Sequence, residues 1–181
     1  AVFDGTVKVR DGRIADITTS GTAAADAQDL GGDYLLPGLV ELHTDNMEKH
    51  FEPRPGALWP SPLAAVLAHD SQIIAAGITT VLDAVCIGDY RDGGKRRRIL
   101  KDSIESVAAG RAANLFRADH LFHLRCETSD PGAVEMFEPY ADHPLLRLVS
   151  LMDHTPGQRQ WRNLENYRTF HRDRNWSDSE L

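Results

Sequence analysis

The sequence predicts an α/β protein whose main part consists of strand–helix units around a parallel sheet. Apolar runs of strand length alternate with stretches of helical periodicity. The runs cover residues 36–43, 78–84, 121–126 and 145–152, and the stretches cover 62–76, 95–113 and 131–140. Such alternation is typical of parallel strands connected by helices. A closed (β/α)8 barrel needs about 250 residues, so these units supply half of one, and chain length alone favours an open doubly wound sheet.

A β-hairpin is predicted ahead of these units. The Asp11-Gly12 pair suits a two-residue turn with positive φ between two alternating runs. Such a turn places Val7 opposite Asp16, so we expect a bulge or early fraying there. Residues 18–33 are rich in Ala, Gly, Thr and Asp, which suits a loop and a short strand.

The chain is therefore predicted to divide into a small β segment, residues 1–36, and the strand–helix region, residues 37–181. Near the end, residues 177–180 read S-x-x-E, a capping box that satisfies the first N–H groups of a helix. We therefore expect a helix to begin there and the sequence to be the N-terminal part of a larger protein.

Composition narrows the classes of function. The 181 residues carry 20 Lys+Arg and 27 Asp+Glu, a formal net charge of −7. A net negative chain without a basic stripe is poorly suited to nucleic acid. We see no apolar run long enough for a membrane span and no signal peptide, so a cytoplasmic protein is expected. Cys86 and Cys126 lack a CxxC spacing and are predicted to be reduced and buried; the sequence leaves a homo-oligomer open.

Polar side chains recur near the carboxyl ends of three predicted strands. Residues two apart share one face of a strand. The positions concerned are Glu41, His43 and Asp45 on the first strand, His123, Arg125 and Glu127 on the third, and Ser150 and His154 on the fourth. Imidazole and carboxylate groups that meet at this edge suit a divalent metal such as Zn, Mn or Fe. The ordinary alternative for His43 and Asp45 is a turn-capping carboxylate beside a hydrogen-bonded imidazole.

Arginines after the strand ends suggest an anionic substrate. Arg91 follows the second strand in a glycine-rich loop, and Arg159 follows the fourth. With Arg125 they could clamp a polyanion around a metal, because guanidinium groups bind phosphoryl oxygens bidentately. The basic run at 95–98 is better interpreted as the solvated face of a helix.

Four further histidines are left out of this predicted site, namely His69, His120, His143 and His171. His69 lies in an apparent helix and is expected at the surface or in packing. His120 points to the side of the sheet that faces the helices.

Longer strings of sequence resemble a known family. The run LLPGLVELHTDN at 35–46 resembles the first barrel strand of the amidohydrolase superfamily, with Asp45 in place of the second His of its His-x-His motif. With HTDNMEKHFEPRP, GITTVLDAVCIGDYRDGG, HLRCE and VSLMDHTPGQRQ, it resembles the phosphonate-metabolism M proteins of the carbon–phosphorus lyase pathway over residues 1–175.

The resemblance implies the N-terminal part of a metal-dependent (β/α)8 barrel, preceded by part of a composite β domain, and so reverses the preference based on length. It implies hydrolysis of α-D-ribose 1-methylphosphonate 5-triphosphate to the 5-phosphate and pyrophosphate. His43 and Asp45 match the first-strand ligand motif, Glu127 resembles a carboxylate ligand, and His154 is a ligand or a phosphate contact. The expected cofactor is Zn, with Mn or Fe as alternatives.

The resemblance also implies what this chain lacks. The later ligands and the general base of the superfamily have no counterpart in it, so the chain alone is expected to be inactive. Two other functions stay open, namely hydrolysis of a C–N bond, as in deacetylases or deaminases, and a non-catalytic ligand-binding subunit of the phosphonate-processing assembly.

Overall fold

The structure, a computed structural model, describes residues 2–19, 23–54, 56–88 and 94–172. The chain divides into two compact units, Ala1–Pro37 and Gly38–Leu181, which are described separately below. The capping box predicted at 177–180 lies outside the described residues. Among the helices that the structure describes, none combines the length and the apolar character needed to cross a bilayer.

The first unit contains the predicted hairpin. Strands β1 (Thr6–Arg10) and β2 (Arg13–Thr18) pair antiparallel. Asp11 and Gly12 form the turn with φ of 52° and 71°, as a type I′ turn requires. The register shifts between Lys8 and Val9, so the expected bulge is confirmed. The short strand predicted within 18–33 is absent from residues 23–33, where turns form and the Asp29 carboxylate accepts a bond from the Gly31 N–H.

The second unit is built on a four-stranded parallel sheet. Its strands are β3 (Leu39–Thr44), β4 (Ile78–Ile87), β5 (Asp119–Glu127) and β6 (Leu146–Met152), and they lie in the order in which they occur along the chain. Right-handed crossovers that always advance in one direction place every connecting helix on the same face. A doubly wound sheet instead reverses its strand order, so the architecture is that of part of a barrel.

Helices follow the strands as predicted, with two additions. The α-helices are α1 (Asn46–Phe51), α2 (Pro62–Ala75), α3 (Lys95–Ala112), α4 (Ala133–Phe137) and α5 (Leu164–Phe170), with 3-10 turns at Glu138–Tyr140 and Arg159–Trp161. Helix α2 begins where the Ser61 hydroxyl accepts the Ala64 N–H, and it is followed by Gly77 at φ 78°. Helix α1 lies outside the predicted helical stretches, and it buries Met47 and Phe51 one turn apart.

The core lies between the sheet and these helices. Val85, Ile87, Phe122 and Leu124 point from β4 and β5 towards the helix layer. They pack against Val66 of α2, Leu100 and Ile104 of α3, and Met136 of α4. These contacts leave the alternate residues of the two strands on the opposite face, which carries the candidate site.

The sheet is curled, and that opposite face is its concave side. His123 on β5 places its Nδ1 atom 3.0 Å from the Leu42 carbonyl oxygen on β3, on the far side of β4. In a flat sheet, strands two positions apart are separated by roughly 9 to 10 Å, which this contact could not span. The curl therefore brings side chains of β3 and β5 together, as in the wall of a barrel.

Candidate active site

His43 and Asp45 form the first pair of the candidate site, at the end of β3. The His43 Nε2 atom lies 3.4 Å from Asp45 Oδ1. Asp45 is the residue before α1, but its side chain makes no capping hydrogen bond to that helix. The turn-capping interpretation of this carboxylate is therefore wrong. The carboxylate instead contacts the guanidinium of Arg125 on β5.

Glu127 and His154 form the second pair, at the ends of β5 and β6. Glu127 Oε1 accepts the His154 backbone N–H at 3.0 Å, and Oε2 contacts His154 Nδ1. Burial favours the neutral acid, but hydrogen bonds from His154 and from the Ser129 hydroxyl outweigh it and hold the Glu127 pKa below its ordinary value. Glu127 is therefore an anionic acceptor in this structure.

Arg125 connects the two pairs. Besides contacting Asp45, it lines a small cleft whose walls also include Glu127 and His154. The other lining residues are Cys86, Ile87, Arg96 and Met152. The buried Nε atom of Arg125 makes no hydrogen bond in the part of the chain that the structure describes. Carboxylate, imidazole and guanidinium groups thus meet at the carboxyl edge of the sheet.

His123 lies on the same face, nearer the amino end of β5, and was not assigned a role from the sequence. Its Nδ1–H donates to the Leu42 carbonyl, so its Nε2 accepts the Ser150 hydroxyl at 2.7 Å. Burial lowers the His123 pKa despite the bond to Leu42, which keeps the ring neutral. The ring meets that of His43 edge to face, with centroids 4.9 Å apart. His123 therefore packs against the His43 ring and helps to hold it in place.

The other two predicted substrate-binding arginines lie elsewhere. Arg91 lies outside the described residues. The Arg159 side chain is 71% exposed, and its Nε donates to Asp153 Oδ2 at 2.7 Å rather than lining the cleft.

Sequence reasoning missed a buried polar network on the other face of the sheet. Asp83 on β4 accepts His69 Nε2 at 2.8 Å and His120 Nδ1 at 2.7 Å, and all three side chains are inaccessible to solvent. His120 Nε2 lies 3.2 Å from Asp70, whose carboxylate also accepts the backbone N–H groups of Arg117 and Ala118. His69 is packed in the interior, which is one of the two environments expected for it, and His120 faces the helices as predicted.

The buried triad and the His43–Asp45 pair differ in the spacing of their donor atoms. Among the described residues, His69, Asp83 and His120 are the group of three whose ligand atoms lie close enough for a metal ion. Their separations of 2.7 and 2.8 Å are those of hydrogen bonds. Two ligands about 2.1 Å from a tetrahedral zinc are about 3.4 Å apart, which is the spacing of His43 and Asp45.

Fold and site together define an α/β half-barrel with a polar carboxyl edge, the place where α/β barrels bind and react with small molecules. The chain is 45% identical over 170 residues to the α-D-ribose 1-methylphosphonate 5-triphosphate diphosphatase of Escherichia coli strain K12. The aligned region is 94% of this chain and 45% of that protein, so the chain spans less than half of the relative's length. The resemblance to the phosphonate-metabolism M proteins, inferred from the motifs, is thereby confirmed.

Two further comparisons found no counterpart. No family model matches the chain. No solved structure matches it either.

Proposed function

We propose that this chain is the N-terminal half-barrel of a metal-dependent diphosphatase that converts α-D-ribose 1-methylphosphonate 5-triphosphate to the 5-phosphate and pyrophosphate. The enzyme would act in the cytoplasm on this small molecule, in the carbon–phosphorus lyase pathway. Residues 1–36 would contribute to a composite β domain, and residues 37–181 would form the first half of an amidohydrolase-type barrel. The similarity to the Escherichia coli diphosphatase supports the substrate.

The observation that carries the proposal is the His43–Asp45 pair. One imidazole nitrogen and one carboxylate oxygen lie 3.4 Å apart at the carboxyl end of the first strand of the sheet. That donor set and spacing suit a divalent ion, with Zn favoured and Mn or Fe as alternatives. Glu127 and His154 supply the same two donor types from neighbouring strands. They contact each other directly in this structure, and we propose that they exchange this contact for bonds to the ion when it binds.

A divalent ion bound there would lower the pKa of water from 15.7 towards about 7 and act as a Lewis acid. The residues of this chain bind and orient the triphosphate. Arg125 lies between Asp45 and the cleft, where its charge would offset that of phosphoryl oxygens. Arg91, which follows β4, and Arg159, which follows β6, are proposed to reach the outer part of the substrate.

The test uses the full-length enzyme that contains this chain. Release of pyrophosphate from the triphosphate is measured together with bound metal, in the wild type and in His43→Ala and Asp45→Asn variants. We expect each substitution to lower turnover at least ~100-fold and to reduce bound metal. Asp119→Asn is the matched control, because Asp119 is an exposed carboxylate at the other end of β5.

Two results would contradict the proposal. Unchanged turnover and normal metal content in Asp45→Asn would remove the pair from the site. If metal is lost only when His120 of the buried triad is replaced, the metal site must be assigned to the helix side of the sheet.

A further inference from the structure

The basic run at the start of α3 does not behave as one surface. Three of its four side chains are exposed, and each pairs with a carboxylate. Lys95 contacts Glu52, Arg97 lies 3.4 Å from Glu135, and Arg98 lies 3.5 Å from Asp102. The Glu135 carboxylate is exposed, whereas those of Glu52 and Asp102 are partly buried. The three cations themselves are solvated, so they fit the helix face expected from the sequence.

Arg96 departs from that expectation. It is half-buried, whereas its neighbours on both sides are exposed, and it lines the cleft at the carboxyl edge of the sheet. Helix α3 therefore turns one of the four cations of this run inwards. Water screens a half-buried guanidinium less than one at the surface, so the charge of Arg96 acts more strongly on groups in the cleft.

Arg96 and Arg125 approach the same point from different elements. Cys86 on β4 pairs in register with Arg125 on β5 and also lines the cleft. Burial is the main cause of the raised pKa of the Cys86 thiol, and the positive charges of Arg125 and Arg96 both oppose that rise. Both cations therefore act on one thiol at the wall of the cleft.

We propose that Arg96 and Arg125 form a subsite for two linked phosphoryl groups, the part of the substrate that leaves as pyrophosphate. This inference rests on the proposed function, because it takes the triphosphate as the ligand of the cleft. Two guanidinium groups offer paired N–H donors that match phosphoryl oxygens. A polyphosphate carries its charge on successive phosphorus centres, so it engages both arginines at once, whereas a single carboxylate engages one.

The test measures binding of inorganic pyrophosphate, by calorimetry, to the wild type and to Arg96→Gln, Arg96→Lys and Arg98→Gln. The protein is the same full-length enzyme. We expect Arg96→Gln to weaken pyrophosphate binding roughly 10- to 100-fold, because it removes charged hydrogen bonds. Arg96→Lys should restore part of the affinity, since lysine keeps the positive charge but lacks the paired N–H donors of the guanidinium. Arg98→Gln, an exposed cation on the same helix, should stay within about twofold.

Three outcomes would overturn the subsite. One is wild-type pyrophosphate affinity in Arg96→Gln. Another is an equal loss in Arg96→Gln and Arg98→Gln, which indicates attraction to the helix as a whole. The third is a wild type that binds inorganic phosphate as tightly as pyrophosphate. Because Arg96→Lys retains size and charge, it separates a lost contact from a folding defect.

Pyrophosphate binding also separates this inference from the proposed function. A subsite that depends on Arg96 in a protein whose turnover survives Asp45→Asn would leave the subsite standing and refute the metal-dependent mechanism. Turnover that needs Asp45 with pyrophosphate affinity independent of Arg96 would do the reverse.

Discussion

Replacing Asp83 with Asn tests whether the buried network stabilises the fold. Both carboxylate oxygens of Asp83 are in use, with His69 at 2.8 Å and His120 at 2.7 Å. The amide of Asn presents an NH2 group to one of these ring nitrogens, which must then change from donor to acceptor, and the negative charge beside His120 is lost in a site that water cannot reach. His120 then keeps only its longer contact with Asp70, at 3.2 Å.

The expected loss is large for a domain of this size. Breaking a buried pair by removing the charge of one partner costs about 3 to 5 kcal/mol, against a total free energy of unfolding of about 5 to 15 kcal/mol. With a shift in Tm of about 2 to 4 °C per kcal/mol for a chain of this length, the Tm should fall by roughly 6 to 20 °C.

The loss of stability in Asp83→Asn should depend on pH, because the pKa values of Asp83 and His120 are shifted in the folded protein. Burial raises the Asp83 pKa, but bonds from His120 and His69 prevail and lower it from 3.8. Its contribution is therefore present above 3.8 and lost as the pH falls further. Burial lowers the His120 pKa, but Asp83 and Asp70 prevail and raise it above 6.5. That contribution is full below 6.5 and lost as the pH rises through the raised pKa, so the network is strongest between these values.

The assay is urea unfolding of the wild type and Asp83→Asn at pH values below 3.8, between 3.8 and 6.5, and well above 6.5. Asp119→Asn is the control, because Asp119 lies next to His120 but is 71% exposed and pairs with Arg111 at the surface, at 3.3 Å. It should cost less than about 1 kcal/mol. Equal stability of the two variants, or a difference from wild type that is the same at every pH, would refute the reasoning.

Two further predictions concern single groups. Burial, aided by the Glu48 carboxylate, raises the Cys86 pKa from 9.0 to about 12, so the thiolate fraction of Cys86 should be about a thousandfold smaller than in the unfolded chain. Alkylation of Cys86 should be slowed accordingly, and Glu48→Gln should speed this alkylation. Alkylation as fast as in the unfolded chain would contradict the prediction. In Gly38→Ala, the new Cβ would lie 2.1 Å from Thr79 Oγ1, so thermal unfolding should show a loss of roughly 1 to 3 kcal/mol. Gly132→Ala, whose nearest neighbour lies at 3.3 Å, should lose much less.

The parts of the fold that could be predicted are those with a local signal. The hairpin bulge follows from counting residues around the Asp11-Gly12 turn, and the structure confirms it. The strands were visible as apolar runs, and α2 and α3 as stretches of helical periodicity. Helix α1 was missed because six residues give too short a stretch for a helical period, and its two buried side chains are explained only by the packing of the whole unit.

The candidate site was predictable where one strand carries the signal. Alternation placed His43 beside Asp45, and the structure puts them 3.4 Å apart. The contact between Arg125 and Asp45 spans 80 residues and depends on the curl of the sheet, which no local pattern reveals. Arg96 could not be told from its three basic neighbours, because the rotation of α3 about its axis decides which cation faces the cleft.

The two faces of the sheet depend on each other through strand register. Asp83 and His120 occupy one face of β4 and β5, and Cys86 and Arg125 occupy the other. A slip of β5 by one residue would turn its side chains to the opposite faces of the sheet. It would place the Arg125 guanidinium against the helices and the His120 ring in the cleft. The Asp83–His120 bond is lost in any such slip, and leaving these groups unpaired inside the core carries a high penalty. The network that takes no part in the proposed chemistry therefore fixes the register that presents Arg125 to Asp45.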